Sequence, residues 1–131
     1  MSEENLDLAC RYFEAFNAGG LDAVAQFWHP EIEVYDPPTW PDAGRHSGTA
    51  AVRQVVESYF ELGWDGRFWD PEYFDAGDEV LVVWQARGQT AHGGGFPMDL
   101  SFAHLLLFEE GRVRRIRQYF SREEGLEAAG L

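Results

Sequence analysis

Lysine is absent from this 131-residue chain, and cysteine occurs once. All ten basic residues are therefore arginines, set against 23 aspartates and glutamates for a net charge of −13. Such a surface repels phosphate backbones and anionic lipid headgroups, which excludes nucleic acid and membrane surfaces as expected partners. The one basic cluster, Arg112, Arg114, Arg115 and Arg117, is too short to reverse that balance, and its arginines can pair with surplus carboxylates. A lone Cys10 permits no internal disulfide and suits a reducing compartment. No apolar run approaches the roughly 18 residues of a membrane span. The opening Met1-Ser2-Glu3-Glu4 is acidic where a secretory signal would be basic. The expectation is a soluble, cytoplasmic protein with a single domain over residues 1–131.

What the chain has in excess is aromatic surface. Ten Phe, five Tyr and five Trp make 15% of the residues, more than a small core usually needs. The surplus must line a cavity, fill an interface or thicken the core.

The hydrophobic periods divide the chain into elements. Ser2 caps a first helix whose apolar face carries Leu6, Ala9, Cys10, Phe13 and Phe16, with Tyr12 at its border. Gly19-Gly20 ends it, and a short second helix runs from Leu21 to Trp28, closed by His29-Pro30. Glu31 to Asp36 alternates as a strand, with Ile32, Val34 and Asp36 on one face. Residues 37 to 48, opened by Pro37-Pro38, read as a loop. Ser47 caps a third helix bearing Val52, Val55, Val56, Tyr59 and Phe60 and ending at Gly63. Strands follow over Arg67–Phe74, with Pro71 implying an edge or a bulge, then Glu79–Thr90, Phe96–Phe108 and Val113–Phe120. Ser121 and Glu124 form a capping box for a last short helix. The fold class is α+β, with helices covering one face of a curved antiparallel sheet.

Four side chains stand out chemically. Asp36 shares the face of Ile32 and Val34, where an ionised carboxylate is costly without a partner; desolvation there makes a better proton acceptor. Equally, an Asp before Pro at a strand end can simply bond the loop backbone. His104 falls in a row with Phe96, Met98, Leu100, Phe102, Leu106 and Phe108, where it either meets a bound oxygen or bonds a backbone carbonyl. Tyr12 and Gln118 each need a polar partner if buried, either a ligand or a neighbour. His29, His46, His92 and His104 lack paired metal-ligand spacing, so no metal is expected. Gly93-Gly94-Gly95 lies between strands and lacks the helix start that cradles phosphate.

The segments Arg11-Tyr12, Phe16-Asn17-Ala18-Gly19-Gly20-Leu21-Asp22, Val34-Tyr35-Asp36-Pro37 and Ser47-Gly48-Thr49-Ala50-Ala51-Val52-Arg53 resemble the steroid delta-isomerases. More broadly, nearly the whole chain resembles the SnoaL-like branch of the nuclear transport factor 2-like superfamily. That likeness extends through the tail from Tyr119-Phe120-Ser121 to Leu131. The resemblance implies a cone in which a strongly bent sheet wraps the N-terminal helices and leaves a deep apolar pocket. It matches Tyr12 to the isomerases' oxyanion-hole tyrosine and Asp36 to their proton-shuttling aspartate. Their second oxyanion donor, a protonated Asp, is replaced here by Ala103 or, with the following hairpin one residue shorter, by His104. Strand alternation favours His104. The SnoaL-type polyketide cyclases place a carboxylate on the last strand, near which this sequence offers Gln118, and the Asp-Arg-Asp set of related epoxide hydrolases has no match.

These readings converge on a cofactor-free enzyme moving a proton beside the carbonyl of a small hydrophobic molecule. Asp36 accepts the proton and Tyr12 and His104 hold the oxyanion. Phe16, Trp28, Tyr59, Trp64, Trp84, Ile116, Gln118 and Phe120 shape the pocket. An alternative is a non-catalytic small-molecule binder in which Asp36 and His104 pair with each other and Tyr12 bonds one of them. A third is an interaction domain. The superfamily resemblance also implies a homodimer through the sheet.

Overall fold

A computed structural model describes residues 2–61, 64–86 and 100–131. The first helix, α1 (Ser2–Ala25), buries Ala9, Tyr12, Phe13 and Phe16 along one side. It breaks at Gly20, whose φ of 72° and ψ of −155° fall outside the helical range and are open to a residue without Cβ. The two expected helices thus meet at the expected glycine. The second ends at Ala25, however, and Trp28 opens a strand instead of closing a helix. Pro30 bars further helix, and Val113 N–H donates to the Phe27 carbonyl at 2.7 Å, drawing the chain into the sheet.

Strand β1 (Trp28–Tyr35) carries buried Ile32 and Val34 on its inner face. The stretch expected to be loop contains a short strand, β2 (Arg45–Ser47), paired antiparallel to β1 with Val34 opposite His46. Pro37-Pro38 disguises it: the chain leaves β1, turns through residues 37–44 and returns, with Asp36 N–H bonded to Gly44 O at 3.0 Å. Ser47 therefore belongs to β2. Gly48 takes the cap position of α2 (Thr49–Glu61), its carbonyl accepting the first helical bond from Val52 N–H at 3.1 Å. The expected helix end at Gly63 lies outside the described residues.

The remaining strands are β3 (Trp69–Ala76), β4 (Glu79–Ala86), β5 (Leu100–Glu109) and β6 (Arg112–Tyr119). Pro71 sits in a register shift on β3, next to Asp70 at φ 48°, and β3 is a sheet edge. The expected extension of β4 to Thr90, the Gly93–Gly95 turn and the start of the next strand at Phe96 lie outside the described residues. The six strands form one curved, unclosed sheet in the order β2-β1-β6-β5-β4-β3. Four of its pairings are antiparallel, while β1 runs parallel to β6, so the sheet is mixed.

Helices α1 and α2 cover the inner face, closing a core that includes Phe13, Phe68, Trp84, Phe102 and Ile116. Each such side chain contributes about 1.5–3 kcal/mol on burial. The third helix, α3 (Arg122–Ala128), is capped by Ser121, whose hydroxyl accepts from Glu124 N–H at 3.0 Å. It packs on the opposite face, against Leu81, Val83, Ala103 and Leu105. Helices on both faces correct the one-sided arrangement expected. The arginines of β6 find carboxylates: Arg115 and Arg117 meet Glu79, and Arg114 meets Glu33 and Glu109.

The approach of α3 depends on Gly125, where a Cβ would stand 2.4 Å from the Ala103 Cβ and 3.1 Å from Leu81 Cδ1. Gly125→Ala is expected to lower stability by about 1–3 kcal/mol through this overlap, read as a fall in the urea midpoint. An unchanged midpoint would show that α3 can lift away freely.

Candidate functional site

The wide inner face of the sheet and the two long helices do not meet everywhere. Between them lies a hollow of about 50 Å³. Its floor is Phe68, Trp84, Phe102 and Ile116 from the sheet side, and its roof is Val52, Val55, Val56 and Tyr59 from α2. Tyr12, Phe16, Trp28, Val34 and Trp64 close the sides, with His104 and Gln118 as polar insertions. The volume is about a third of the roughly 150 Å³ of an engineered cavity that holds benzene. A ring-sized ligand must therefore displace wall side chains or project outward.

His104 faces this hollow because β5 alternates. Phe102, His104 and Leu106 point inward, whereas Ala103 and Leu105 pack against the side covered by α3. The choice between Ala103 and His104 thus falls to His104. Its imidazole stands edge-on to Phe13, Phe68, Trp84 and Phe102, with ring centroids 5.4–6.5 Å away. Neither ring nitrogen has a hydrogen-bond partner among the described residues, and neither has the buried Trp84 Nε1. Burial pulls the imidazole pKa down to about 3. His104 is therefore neutral near pH 7, with one nitrogen a donor and the other an acceptor.

Tyr12 approaches from α1. Its hydroxyl oxygen accepts from Trp28 Nε1 at 2.9 Å. Burial pushes the phenol up to about 12, outweighing the opposing effect of the Trp28 bond. The phenol keeps its proton and has that O–H free to donate, since it donates to no acceptor among the described residues.

Asp36 stands just past β1, with only 13% of its side chain exposed. Its Oδ2 accepts from Gly44 N–H at 3.1 Å, and His46 Nε2 lies 3.1 Å from Oδ1 and 3.0 Å from Oδ2. The carboxylate is not part of the hollow's wall, and no hydrogen bond joins it to Tyr12 or His104. The pairing of Asp36 with His104 imagined for a binder is corrected: Asp36 pairs with His46, and Tyr12 with Trp28. Asp36 follows the wall residue Val34 by two positions on the same side of the chain, and its charge acts on Tyr59, another wall residue. Burial first, and then the nearby Asp36 charge, push the Tyr59 phenol up. Tyr59 donates to Gln118 Oε1 at 3.0 Å, so buried Gln118 is satisfied from across the hollow.

Of the residues expected to shape a pocket, Phe16, Trp28, Tyr59, Trp64, Trp84, Ile116 and Gln118 line the hollow. Phe120 does not; its ring is sandwiched behind Phe102 at 5.5 Å and against Trp40 at 5.4 Å. Sequence reasoning missed His46 and Trp40, which both lie in the stretch taken for loop. A signal was available in the short Arg45-His46-Ser47 run bounded by Gly44 and Gly48, which can pair with β1.

The isolation of His104 has a consequence for stability. The unfolded imidazole titrates near the ordinary value of about 6.5, whereas the folded one stays neutral down to about pH 3. The unfolded chain therefore binds more protons as pH falls through this window, and stability is lost. His104→Phe should remove that part of the slope, so that wild type loses up to roughly 3 kcal/mol more than the variant between pH 7 and pH 4. Urea unfolding at the two pH values checks this, and equal losses would contradict a buried neutral imidazole.

Three solved structures place the fold. A protein from a soil-derived mobile gene cassette, Bal32a, superposes with a TM-score of 0.76 at 18% identity, covering 97% of this chain and 96% of its own. A candidate ketosteroid isomerase from Kribbella flavida gives 0.72 at 17% identity, covering 92% and 80%. TerC, co-crystallised with polyporic acid, gives 0.71 at 19% identity, covering 98% and 99%. No curated protein matches the sequence. Residues 9–116, most of the chain, match the family model of the SnoaL-like domain. With a bent sheet wrapped on its N-terminal helices and that match across its length, the chain belongs to the SnoaL-like domain family and has the nuclear transport factor 2-like fold.

Proposed function

We propose that the protein is a cofactor-free acid/base enzyme that shifts a proton next to the carbonyl of a small, neutral, hydrophobic molecule. The observation carrying this reading is the convergence of two neutral donors without acceptors, Tyr12 O–H and His104 N–H, on one apolar hollow. A carboxylate with fixed partners, Asp36, follows the wall residue Val34 by two positions, and its charge acts on the wall residue Tyr59. Neutral donors held in a dry site stabilise an oxygen that becomes negative, and they do so without reorganising at the moment of reaction.

In this mechanism the substrate carbonyl oxygen lies against Tyr12 and His104. Asp36 takes a proton from the adjacent carbon as the bond's electron pair moves onto the oxygen. The enolate is held by the two donors, and Asp36 returns the proton to the same carbon or to one further along a conjugated chain. Phe16, Trp28, Trp64, Trp84 and Ile116 supply apolar contact, while Tyr59 and Gln118 form the polar edge nearest the base. No arginine is among the residues lining the hollow, and His104 is uncharged, so a carboxylate or phosphate ligand would lose its hydration there without compensation. Structural relatives associated with ketosteroid isomerase and polyketide cyclase names agree with a hydrophobic carbonyl substrate. Self-association through the sheet belongs to this reading, and a monomeric mass in solution would remove that part without touching the chemistry.

2-Tetralone, a neutral aromatic ketone, is a suitable probe because exchange of its α-hydrogens in D2O is followed directly by proton NMR. Wild-type protein is expected to accelerate exchange over buffer, and Asp36→Asn to reduce that acceleration by about 100-fold or more while leaving 2-tetralone affinity within about twofold. Equal exchange by the variant would remove Asp36 as the proton acceptor. Tight retention of the ketone with no exchange at any pH would favour the non-catalytic binder.

A further inference from the structure

The sheet has a feature that neither the hollow nor the fold requires. Strand β2 is only three residues long, yet it carries an imidazole to the Asp36 carboxylate. In the antiparallel β1–β2 pair, His46 stands opposite Val34. Asp36 follows Val34 by two residues and so continues the same face. That makes His46 and Asp36 diagonal neighbours, a separation that long or ring side chains can span.

The resulting contacts constrain the carboxylate closely. A free aspartate turns easily about its last torsion, which has only a broad two-fold preference. Here the His46 Nε2 lies 3.1 and 3.0 Å from the two carboxylate oxygens, and Gly44 N–H holds Oδ2 at 3.1 Å from the returning chain. A carboxylate offers about four lone-pair sites. These donors approach both oxygens and leave about one lone-pair site, on Oδ1, available. The base of the turn is itself locked by Asp36 N–H to Gly44 O at 3.0 Å, and its tip by Trp40 against Phe120. Other groups around the pair have their own partners: Tyr59 donates to Gln118, while Arg45 pairs with Glu33.

We propose that His46 is the positioning residue for Asp36, its Nε2–H holding the carboxylate in one orientation on the face of β1 that carries the wall residue Val34. The functional part of this proposal rests on the proton-transfer reading above. The imidazole acts through the carboxylate and touches no substrate. To donate to the carboxylate its hydrogen must sit on Nε2, and the His46 side chain is 34% exposed. When Asp36 accepts a proton on a free lone pair, Nε2–H remains bonded to the carboxyl edge, so the group keeps its orientation through the cycle.

Two measurements on the intact protein test this. In nitrogen-edited NMR at neutral pH, His46 is expected to be protonated on Nε2, with that hydrogen-bonded signal lost or moved in Asp36→Asn. An Nε2 without hydrogen overturns the proposal whatever the activity. In 2-tetralone exchange, His46→Phe is expected to lower kcat by about tenfold or more with KM changed less than about twofold, and His46→Gln, which keeps an N–H donor, to recover most of the loss. A merely structural role would move both variants together with their stability. Equal rates for wild type and His46→Phe, or no recovery in His46→Gln, overturn the proposal. Should wild type fail to exchange the ketone, the proton-transfer reading falls, and the NMR result alone decides whether His46 orients Asp36.

Discussion

Keeping water from the inner face of the sheet is the constraint on which the other features rest. Trp84 meets Phe68 edge-on at 4.4 Å and stacks on Phe102 at 5.0 Å, and Phe13, Phe16 and Trp64 from the α1 and α2 side close over them. A dry aromatic surface of this kind cannot solvate a charge, and it is why the imidazole of His104 and the phenol of Tyr12 are both held neutral. It also sets the cost of leaving His104 and Trp84 Nε1 without partners, since an unbonded buried polar group costs about 1–3 kcal/mol.

Charge is distributed to protect this arrangement. The chain carries −13 overall, yet three arginines of β6 are paired with carboxylates. Arg115 and Arg117 share Glu79, and Arg114 bridges Glu33 and Glu109. Partly exposed pairs like these add little stability individually, but they keep the basic strand β6 from presenting an anion site. The acid next to the hollow is treated differently. Asp36 is largely withdrawn from water and has a backbone donor and an imidazole assigned to it. Among the described residues, those that line the hollow carry no charged group, while Asp36 has fixed partners outside its wall.

Much of this architecture was legible in the chain because it rests on strong local signals. Gly20 broke the first helix, Ser121 capped the last one, and Pro71 marked the bulge on the edge strand. The two-residue period of β5 placed His104 inward and Ala103 outward, which the small Gly125–Ala103 contact confirms from the other face. What could not be read were pairings between distant segments. The parallel contact of β1 with β6 pulled Trp28 out of a helix that its local pattern favoured. A turn opening on Pro37-Pro38 hid β2, and with it His46, because three residues show no period of their own. Asp36 stood out as an unusual acid, but the identity of its partner depended on where that hidden strand returned. Likewise, Phe120 lies just past the end of β6, behind Phe102 and against Trp40, a consequence of how the turn after β1 folds down.

The proposed mechanism requires an incoming neutral carbonyl to supply the acceptor that His104 lacks among the described residues. Nitrogen-edited NMR of the His104 imidazole at about pH 5, with and without saturating 2-tetralone, addresses it most directly. That pH lies below the ordinary histidine pKa of about 6.5 and above the value of about 3 expected for His104 in its aromatic enclosure. The account predicts a neutral ring in the free protein and a downfield movement of its N–H resonance when the ketone binds. An imidazolium at that pH, or a His104 signal unmoved by saturating ketone, would contradict it.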